Sequence, residues 1–274
     1  MPVQLDIPGL KKNLRLHVHG NPEECVSRQI REYGIWEAYE TSLFLKYLRP
    51  GGVFLDIGAN IGYYTVLGAK AVGEQGRVIA YEPDRANFVL LEKNLRLNGI
   101  TNATAFAAAV SDYNGRAALY LSPDNRGDHR LYASGDARRR LMAEVVDGGE
   151  HLRTLTGRVD FIKIDTQGSE FYVLKGLQAL IRANRKHLVM VVEFWPFGLR
   201  LAGASADELL DLLAALEMAI YIIDHLGRAM VPMNCDCLRQ WVRDTEADPG
   251  NEGFMNLLLL PAAGMTAKEF LCSG

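Results

Sequence analysis

The chain has 274 residues, of which 49% are hydrophobic and 23% charged, enough to build the core of one large α/β domain. Its net charge of −3 gives no overall attraction to nucleic acid, and its first residues lack the basic and apolar segments of a secretory signal. Because no apolar run approaches the roughly 18 residues that cross a bilayer, we expect no integral membrane segment and a soluble, cytoplasmic protein.

The four cysteines predict free thiols in a reducing compartment. Only Cys235 and Cys237 are close together, and a C-x-C pair without companions is poor spacing for zinc. Cys25 and Cys272 lie far from this pair and from each other.

Three regions are expected along the chain. Residues 1–50 are predicted to form a strand-and-helix extension on the substrate side, residues 51–262 the main domain, and residues 263–274 a C-terminal tail. Apolar residues at helical spacing predict one helix from Tyr33 to Leu48, and Pro50-Gly51-Gly52 ends it.

A short apolar run then ends in an acid and a glycine turn, which predicts the first strand-to-helix turn of a nucleotide-binding sheet. The pattern is D-x-G-x-N-x-G, formed by Asp56, Gly58, Asn60 and Gly62. Glycines let the backbone turn and let a ligand approach. A carboxylate at the strand end suits the α-ammonium of S-adenosyl-L-methionine (SAM) and would repel a pyrophosphate, so these four residues are predicted to bind SAM.

A second acid supports this interpretation. Glu82 follows the strand predicted from Arg77 to Tyr81, where an acid usually accepts hydrogen bonds from ribose hydroxyls. A helix is predicted from Arg85 to Leu97, and a third strand from Ala103 to Val110.

The residues after the third strand are predicted to approach the adenine and the substrate. Ser111 and Asp112 are candidate contacts of the adenine amine. Residues 122–150 are rich in Asp, Arg, Gly and Ser, and are expected to be an irregular substrate loop. Within it, Arg138-Arg139-Arg140 is interpreted as a solvated helix face, with contact to an acidic substrate as the alternative. His129 is interpreted as a surface histidine, although a position in this loop could also bring it to the cleft.

Two further acids end strands that should face the same cleft. Asp165 follows a strand predicted over Val159 to Ile164, and Glu193 follows one over Leu188 to Val192. Both are candidate catalytic groups, because methyl transfer to a hydroxyl requires positioning and removal of a proton. Asp165 is equally a candidate contact of the SAM methionine moiety or a helix cap, and Glu193 a salt-bridge partner.

Strands alternating with helices predict a doubly wound, mostly parallel sheet. The final strands, Ile220 to Asp224 and Phe254 to Leu260, are expected to follow each other without a helix of sufficient length between them. Such a closing pair implies one antiparallel strand.

Taken in order, these motifs resemble the FkbM-family methyltransferases of the class I, Rossmann-like SAM-dependent fold. The resemblance spans roughly Tyr33 to Pro261, and the order and spacing of its motifs are specific. They are Tyr33-Gly34-Ile35-Trp36-Glu37, the turn from Asp56 to Thr65, Ala80-Tyr81-Glu82-Pro83, Asn94 to Gly99, Ala109-Val110-Ser111-Asp112, Phe161 to Gly176, and Met255-Asn256-Leu257-Leu258.

The resemblance implies a seven-stranded sheet, SAM as cofactor with S-adenosylhomocysteine as product, and O-methylation of a hydroxyl on a small metabolite, sugar or glycolipid. The family's D-x-E-G segment reads Asp165-Thr166-Gln167-Gly168 here, so a charge is missing and no metal is expected. Two alternatives stay open: a nicotinamide-dependent oxidoreductase on a Rossmann-like fold, and a non-catalytic SAM-binding module.

Overall fold

An eight-stranded sheet with helices on both faces forms the centre of the chain. The computed structural model describes residues 1–10, 13–22, 24–133, 138–248 and 251–262. In chain order the elements are β1 (Val3–Gln4), β2 (Arg15–Leu16), α1 (Cys25–Tyr33), α2 (Ala38–Tyr47), β3 (Val53–Ile57), α3 (Tyr63–Val72), β4 (Arg77–Tyr81), α4 (Arg85–Leu97), β5 (Ala103–Phe106), β6 (Ala108–Ser111), β7 (Gly115–Leu121), β8 (Arg139–Asp147), α5 (Gly148–Arg153), β9 (Phe161–Ile164), α6 (Glu170–Asn184), β10 (Val189–Phe194), α7 (Pro196–Leu201), α8 (Ala206–Ala214), β11 (Met218–Asp224), β12 (Ala229–Met233), α9 (Cys235–Glu246) and β13 (Met255–Pro261).

The strand order of the central sheet is β12-β11-β13-β10-β9-β3-β4-β5. Strands β10, β9, β3, β4 and β5 run parallel, and β13 is antiparallel to both of its neighbours. The predicted α/β fold of the class I methyltransferase type is therefore confirmed. The sheet has one strand more than the seven expected, because Asp224 accepts hydrogen bonds from the backbone N–H groups of Leu226 and Gly227 and turns the chain back into the edge strand β12.

Each face of the sheet packs its own apolar layer. On one face, the aromatic rings of Phe44, Phe54 and Phe161 contact one another edge to face, with centroids 4.9 to 5.7 Å apart. On the other, Ile162 and Met190 lie under Leu177 of α6, and all three are fully buried. Burial on both faces explains the continuous apolar runs of these strands.

The expected third strand is divided between two sheets. Residues 103–106 form β5 of the central sheet, whereas β6 leaves it and pairs with β8 in a three-stranded sheet of order β6-β8-β7. The expectation of an irregular loop over residues 122–150 is wrong for β8 and α5. In β8 the buried Ala143 and Val145 alternate with exposed residues, and Arg139 and Arg140 belong to this strand, not to a helix.

Two helix predictions are also corrected. The predicted helix from Tyr33 to Leu48 is α2, which begins only at Ala38. Tyr33 instead ends the preceding helix α1, because Gly34 follows it with a φ of +69°. A 12-residue helix, α9, lies between the last strands where none was expected. Its Asn234 cap and the buried Leu238 and Val242 hold it against the sheet.

The structure also bears on the cysteines, on membrane-spanning helices and on the C-terminal residues. Cys25 and Cys235 are free thiols, whereas Cys237 takes part in a disulfide bond, so the prediction of free thiols is wrong for that residue. None of the helices in the described part of the chain has the length and hydrophobicity required to span a bilayer. The predicted tail over residues 263–274, with Cys272, lies outside the described residues.

Candidate active site

A cavity of about 460 Å³ opens at the carboxyl ends of β3, β4, β9 and β10. Parallel strands place their carboxyl ends at one edge of the sheet, which is where doubly wound folds bind their ligands. The cavity lining includes six of the residues selected from the sequence: Asp56, Gly58, Asn60, Glu82, Asp165 and Glu193.

Three of the selected residues lie outside the cavity lining. Asp112 pairs with Lys175 of α6 (Oδ2 to Nζ, 2.7 Å), and the hydroxyl of Ser111 donates to the Asp112 carboxylate at 3.3 Å. Gly62 is the N-cap of α3, where a Cβ would approach Cγ of Leu91 at 3.0 Å. Ser111 and Asp112 directly follow Val110, which lines the cavity, so their contact with the adenine stays a prediction. Gly62 lies against Leu91, where α3 packs against α4.

Gly58 is required by the backbone of the next strand. Its φ is +86°, and a Cβ at this position would lie 1.9 Å from the carbonyl oxygen of Asp165. The sequence predicted glycine here for the approach of a ligand. The stronger constraint is the close passage of β3 and β9, which holds Asp165 beside the turn.

Glu82 is buried and already holds the turn with both oxygens. One oxygen accepts from the N–H of Asn60 at 2.7 Å, and the other accepts from the N–H of Asp84 at 2.8 Å. Only 5% of the residue is exposed, and this burial raises the pKa of the Glu82 carboxyl to about 8. Asn60 itself has a φ of +50°, and its side-chain oxygen accepts from the N–H of Ile61.

Asp56 is a second buried acid at the cavity wall. Its carboxylate accepts a hydrogen bond from the hydroxyl of Thr65 in α3, and it lies beside Lys163 in the register of β3 and β9. Burial raises the pKa of Asp56 to about 6, against the effects of Thr65 and Lys163.

Lys163 places a buried ammonium among these acids. Its Nζ lies 2.8 Å from Oδ2 of Asp165, 3.7 Å from Oε1 of Glu40, and 4.8 Å from the centroid of the Tyr64 ring. Burial disfavours the charge, but the neighbouring carboxylates outweigh it and raise the pKa of Lys163 above its usual value. Lys163 is therefore a fixed positive charge beneath the cavity.

Gln167 connects the two predicted catalytic acids. Its amide nitrogen donates to Oδ1 of Asp165 at 2.8 Å and lies 3.1 and 3.2 Å from the two oxygens of Glu193. The backbone of Gln167 has a φ of +53°, which turns this side chain into the cavity. The neutral amide thus separates two carboxylates where the family pattern carries a third.

Glu193 is a buried acid whose charge is strongly disfavoured. It is 9% exposed, and burial together with the charges of Asp165 and Glu170 raises its pKa well above the usual range. Its strand neighbour Asn256 donates its amide to Glu40 at 2.6 Å, so β13 contributes a polar contact under the same acids.

Sequence reasoning missed several residues of the cavity. Glu37 lines it and accepts from the hydroxyl of Tyr64 at 3.2 Å; burial and the charge of Glu40 raise its pKa to about 8. The Tyr33 to Glu37 motif of the family contains this residue, but its role was not recognised. His129 was expected at the surface, yet its side chain is 6% exposed and lines the cavity, so that expectation is wrong.

One group of side chains meets the distances of a metal site within the described residues. The ligand atoms of Glu37, Glu40 and His225 lie within 4.8 Å of one another. Glu40 already contacts the ammonium of Lys163 and the amide of Asn256, which compensates its charge. The prediction that the protein binds no metal stays a prediction.

Residues 56–219 match the family described as the Methyltransferase FkbM domain, which is more than half of the chain. The matched segment contains the glycine turn, Glu82, Asp165 and Glu193. The chain belongs to this family. It is a SAM-dependent methyltransferase with a Rossmann-like fold, as the resemblance of its motifs predicted.

Two curated relatives and two solved structures show the range of similarity. Methyltransferase 1 of Beauveria bassiana (strain ARSEF 2860) is 26% identical over 183 residues, covering 58% of this chain and 71% of the relative. Methyltransferase sdnD of Sordaria araneosa is 28% identical over 190 residues, covering 55% and 70%. A putative rRNA methylase from Clostridium thermocellum aligns with a TM-score of 0.46 and 12% identity over 80% of this chain and 93% of that one. A putative methyltransferase from Streptococcus mutans, in complex with SAH, aligns with a TM-score of 0.45 and 9% identity over the same shares.

We expect Gly58→Ala to destabilise this FkbM methyltransferase more than any loss of ligand contact would explain. The added Cβ would collide with the carbonyl oxygen of Asp165, and the alanine would have to keep the left-handed backbone conformation of Gly58. The free energy of unfolding should therefore fall by about 3 kcal/mol or more. The measurement is chemical denaturation without ligand. Gly99→Ala is the control, because Gly99 has a φ of +58° with open space around it and should cost about 1–2 kcal/mol. Equal losses in both variants would contradict the collision at Gly58.

We further expect the ligand-free protein to lose stability as the pH rises from 7 to 8.5. Glu37 and Glu82 each have a pKa of about 8, above the ordinary value of 4.5, so the folded state holds more protons than the unfolded state until the pH passes 8. For each extra proton held by the folded state, the free energy of unfolding falls by at most about 1.4 kcal/mol per unit of pH increase. The lowered pKa values of His19 and His129 act in the opposite direction, but mainly near and below pH 7.

Denaturation curves across this pH range test the expectation. Glu193 and Glu170 also have raised pKa values and act in the same direction. Glu37→Gln removes one of these carboxyls, so the stability of the variant should fall less steeply with pH than that of the wild type. A wild-type stability that rises between pH 7 and 8.5, or an unchanged slope in Glu37→Gln, would show that these carboxyls titrate normally.

Proposed function

We propose that the protein transfers the methyl group of SAM to a hydroxyl of a small metabolite, sugar or glycolipid. The observation that carries this proposal is the Asp165–Gln167–Glu193 group, which lies in the same cavity as Glu82 and the glycine turn. One cavity thereby combines acids suited to a cationic nucleoside ligand with a carboxylate suited to accept a hydroxyl proton.

The residues of the cavity fit the cofactor. Glu82 offers its remaining lone pairs to the ribose hydroxyls, after two backbone N–H groups have fixed its orientation. Asp56 and Asp165 place negative charge beside the turn, which suits an ammonium and a sulfonium. When bound, SAM supplies a methyl group on a positively charged sulfur.

Glu193 is the residue that we assign as proton acceptor. It lines the cavity, and the amide nitrogen of Gln167 contacts both of its carboxylate oxygens, which leaves lone pairs on each oxygen for a ligand. A carboxyl with a raised pKa is a stronger base once ionised, and a cationic ligand in the cavity favours that ionised form. Glu193 then takes the proton of the acceptor hydroxyl on a free oxygen lone pair.

Asp165 has the complementary role of orienting the reacting groups. Lys163 donates to one of its oxygens and Gln167 to the other, both at 2.8 Å, so its geometry is fixed from two directions. A carboxylate held in this way can accept a hydrogen bond from the acceptor hydroxyl. Holding that hydroxyl oxygen in line with the methyl–sulfur bond is a large part of what methyl transfer requires.

The walls on the acceptor side support a small organic acceptor. Trp36, Trp195 and Phe254 contribute aromatic surface to the cavity, and Phe254 is 63% exposed. Aromatic walls with a few placed carboxylates are typical of sites for small ligands with apolar faces and hydroxyls. Trp36 precedes α2, so residues 1–50 are proposed to belong to the substrate side.

The function is tested by binding and then by transfer. Calorimetry should show binding of SAM and S-adenosylhomocysteine and none of NAD, because the carboxylate of Asp56 at the glycine turn would repel a pyrophosphate. A panel of hydroxylated sugars, glycolipids and small metabolites, incubated with methyl-labelled SAM, should then yield labelled methyl ethers. Label found only on nitrogen or carbon would contradict O-methylation, and binding of NAD alone would contradict the cofactor.

We expect Glu193→Gln to lower kcat by about 10²–10⁴-fold, because the amide cannot take the hydroxyl proton. The affinity for S-adenosylhomocysteine should change little. Asp165→Asn should lower turnover more than affinity, since it weakens the contact with Lys163 and the orientation of the acceptor. The measurements are steady-state turnover with an acceptor from the panel and calorimetry with S-adenosylhomocysteine.

Glu217→Gln is the matched control. Glu217 is exposed and pairs with Arg185 at the surface, so its loss should leave turnover and affinity unchanged. If Asp165→Asn lowers affinity and leaves saturated turnover intact, Asp165 anchors the methionine moiety instead. If Glu193→Gln retains full turnover, Glu193 is not the base.

A further inference from the structure

The loop over residues 122–130, here called the flap, covers one end of the cavity in a fixed conformation. The backbone groups of Tyr120 and Arg130 close its base with N···O distances of 2.7 and 3.1 Å. Inside it, the side chain of Asn125 accepts from the N–H of Gly127 at 3.0 Å. Asn87 of α4 donates its amide to the carbonyl of Arg126 at 3.1 Å. The flap is therefore an ordered wall of the site.

His129 in the flap carries a hydrogen-bond donor that nothing in the described residues accepts. Its Nδ1 accepts from the backbone N–H of Ser122 at 3.1 Å, which places the proton of the neutral ring on Nε2. Nε2 is buried and has no hydrogen-bond partner among the described residues. The side chain is 6% exposed.

The nearest acid does not satisfy this donor. Oδ2 of Asp84 lies 3.8 Å from Nε2, beyond hydrogen-bond distance, and already accepts from the N–H of Asn87 at 3.0 Å. Asp84 caps α4, so its carboxylate is held away from the histidine. A buried donor without a partner is costly, and its persistence in an ordered loop points to a ligand atom.

The position of His129 indicates which part of the cofactor would accept this hydrogen bond. His129, Glu82, Pro83 and Asn87 line the same region of the cavity, and Asp84, the nearest acid to Nε2, is two residues from Glu82. Glu82 is the residue proposed to hold the ribose. The opposite end of the cavity, with Asp165 and Glu193, is the side proposed for methyl transfer.

We propose that Nε2–H of His129 donates a hydrogen bond to the nucleoside of the cofactor, at a ribose oxygen or a ring nitrogen of the base. The flap is then a second recognition element for the nucleoside, in addition to the strand-end acid Glu82. This inference rests on the proposed function, because it requires SAM and S-adenosylhomocysteine to occupy this cavity.

Two substitutions separate the two nitrogens of the ring. His129→Asn keeps an acceptor at the position of Nδ1, and so the contact with Ser122, but removes the donor. His129→Gln keeps a donor at the position of Nε2 and removes the acceptor. By calorimetry, His129→Asn should weaken S-adenosylhomocysteine binding about tenfold, and His129→Gln should stay within about threefold of the wild type.

Binding of adenosine, which lacks the amino-acid moiety, tests whether His129 contacts the nucleoside or the rest of the cofactor. The loss in His129→Asn should be of the same size for adenosine as for S-adenosylhomocysteine if the nucleoside is the partner. A loss seen with S-adenosylhomocysteine alone would overturn the nucleoside assignment. Wild-type affinity in His129→Asn, or equal losses in both variants, would overturn the role of the Nε2 donor.

The ring itself provides a test that does not depend on the variants folding. Nitrogen NMR of the free wild-type protein should show His129 as the neutral tautomer with its proton on Nε2. A proton on Nδ1 would overturn the proposal. Absence of any binding of S-adenosylhomocysteine to the wild type would instead refute the proposed function, and the proposal for His129 with it.

Discussion

The buried ammonium of Lys163 is the charge on which the candidate site depends. It lies on β9 beside Asp56 of β3 and within 4 Å of carboxylate oxygens of both Asp165 and Glu40. Removing several carboxylates from water is unfavourable unless a cation and hydrogen bonds compensate them. Lys163 supplies that cation from beneath the cavity, so the acids can stay close together while their free lone pairs face the ligand.

One lysine does not neutralise all of the buried acids. The negative charge that it leaves uncompensated is unfavourable in the buried cavity, which explains why the pKa values of these acids are raised. Glu37 and Glu82 are raised to about 8 and Asp56 to about 6, with burial as the largest cause in each case. The free protein at neutral pH therefore carries fewer charges in the cavity than its sequence suggests. A cationic ligand reverses this balance, because it favours the ionised carboxyls. The same acids thus favour a positively charged cofactor.

Gln167 limits this accumulation of charge. Its amide lies between Asp165 and Glu193 and donates to both, where a glutamate would add a further negative charge at about 3 Å. The departure from the family pattern, which from sequence alone placed metal binding in doubt, has a positive role in the structure. It keeps two neighbouring acids apart without compensating either of them fully, which leaves Glu193 with its raised pKa.

The strand ends could be predicted from the sequence, because their residues follow local rules. Asp56, Gly58, Glu82, Asp165 and Glu193 each stand directly after an apolar run, and parallel strands bring such positions to one edge. The class of the fold followed from the same alternation. The number of strands did not, since β12 depends on one turn held by the carboxylate of Asp224.

The flap and the second sheet could not be predicted, because long-range contacts decide them. The strand β8 alternates buried and exposed residues over few positions, and its arginine-rich start hides that pattern. His129 is buried only because Tyr120 and Arg130 close the loop over α4. Ser111 and Asp112 also stand outside the central sheet. Their position after a strand matched the rule, but β6 leaves the central sheet and carries them toward Lys175.

The two halves of the cavity therefore differ in how they are stabilised. The strand-end half is fixed by backbone hydrogen bonds and by apolar layers on both faces of the sheet, so its acids keep their positions whether or not a ligand is present. The flap is held mainly by polar contacts, such as those of Asn87 with Arg126 and of Asn125 with Gly127, and polar contacts can be exchanged for water at little cost. Segments with few buried apolar contacts open at lower free energy than the core. The strand-end acids are therefore supported by the core of the sheet, whereas the flap depends on the hydrogen bonds at its base and to α4.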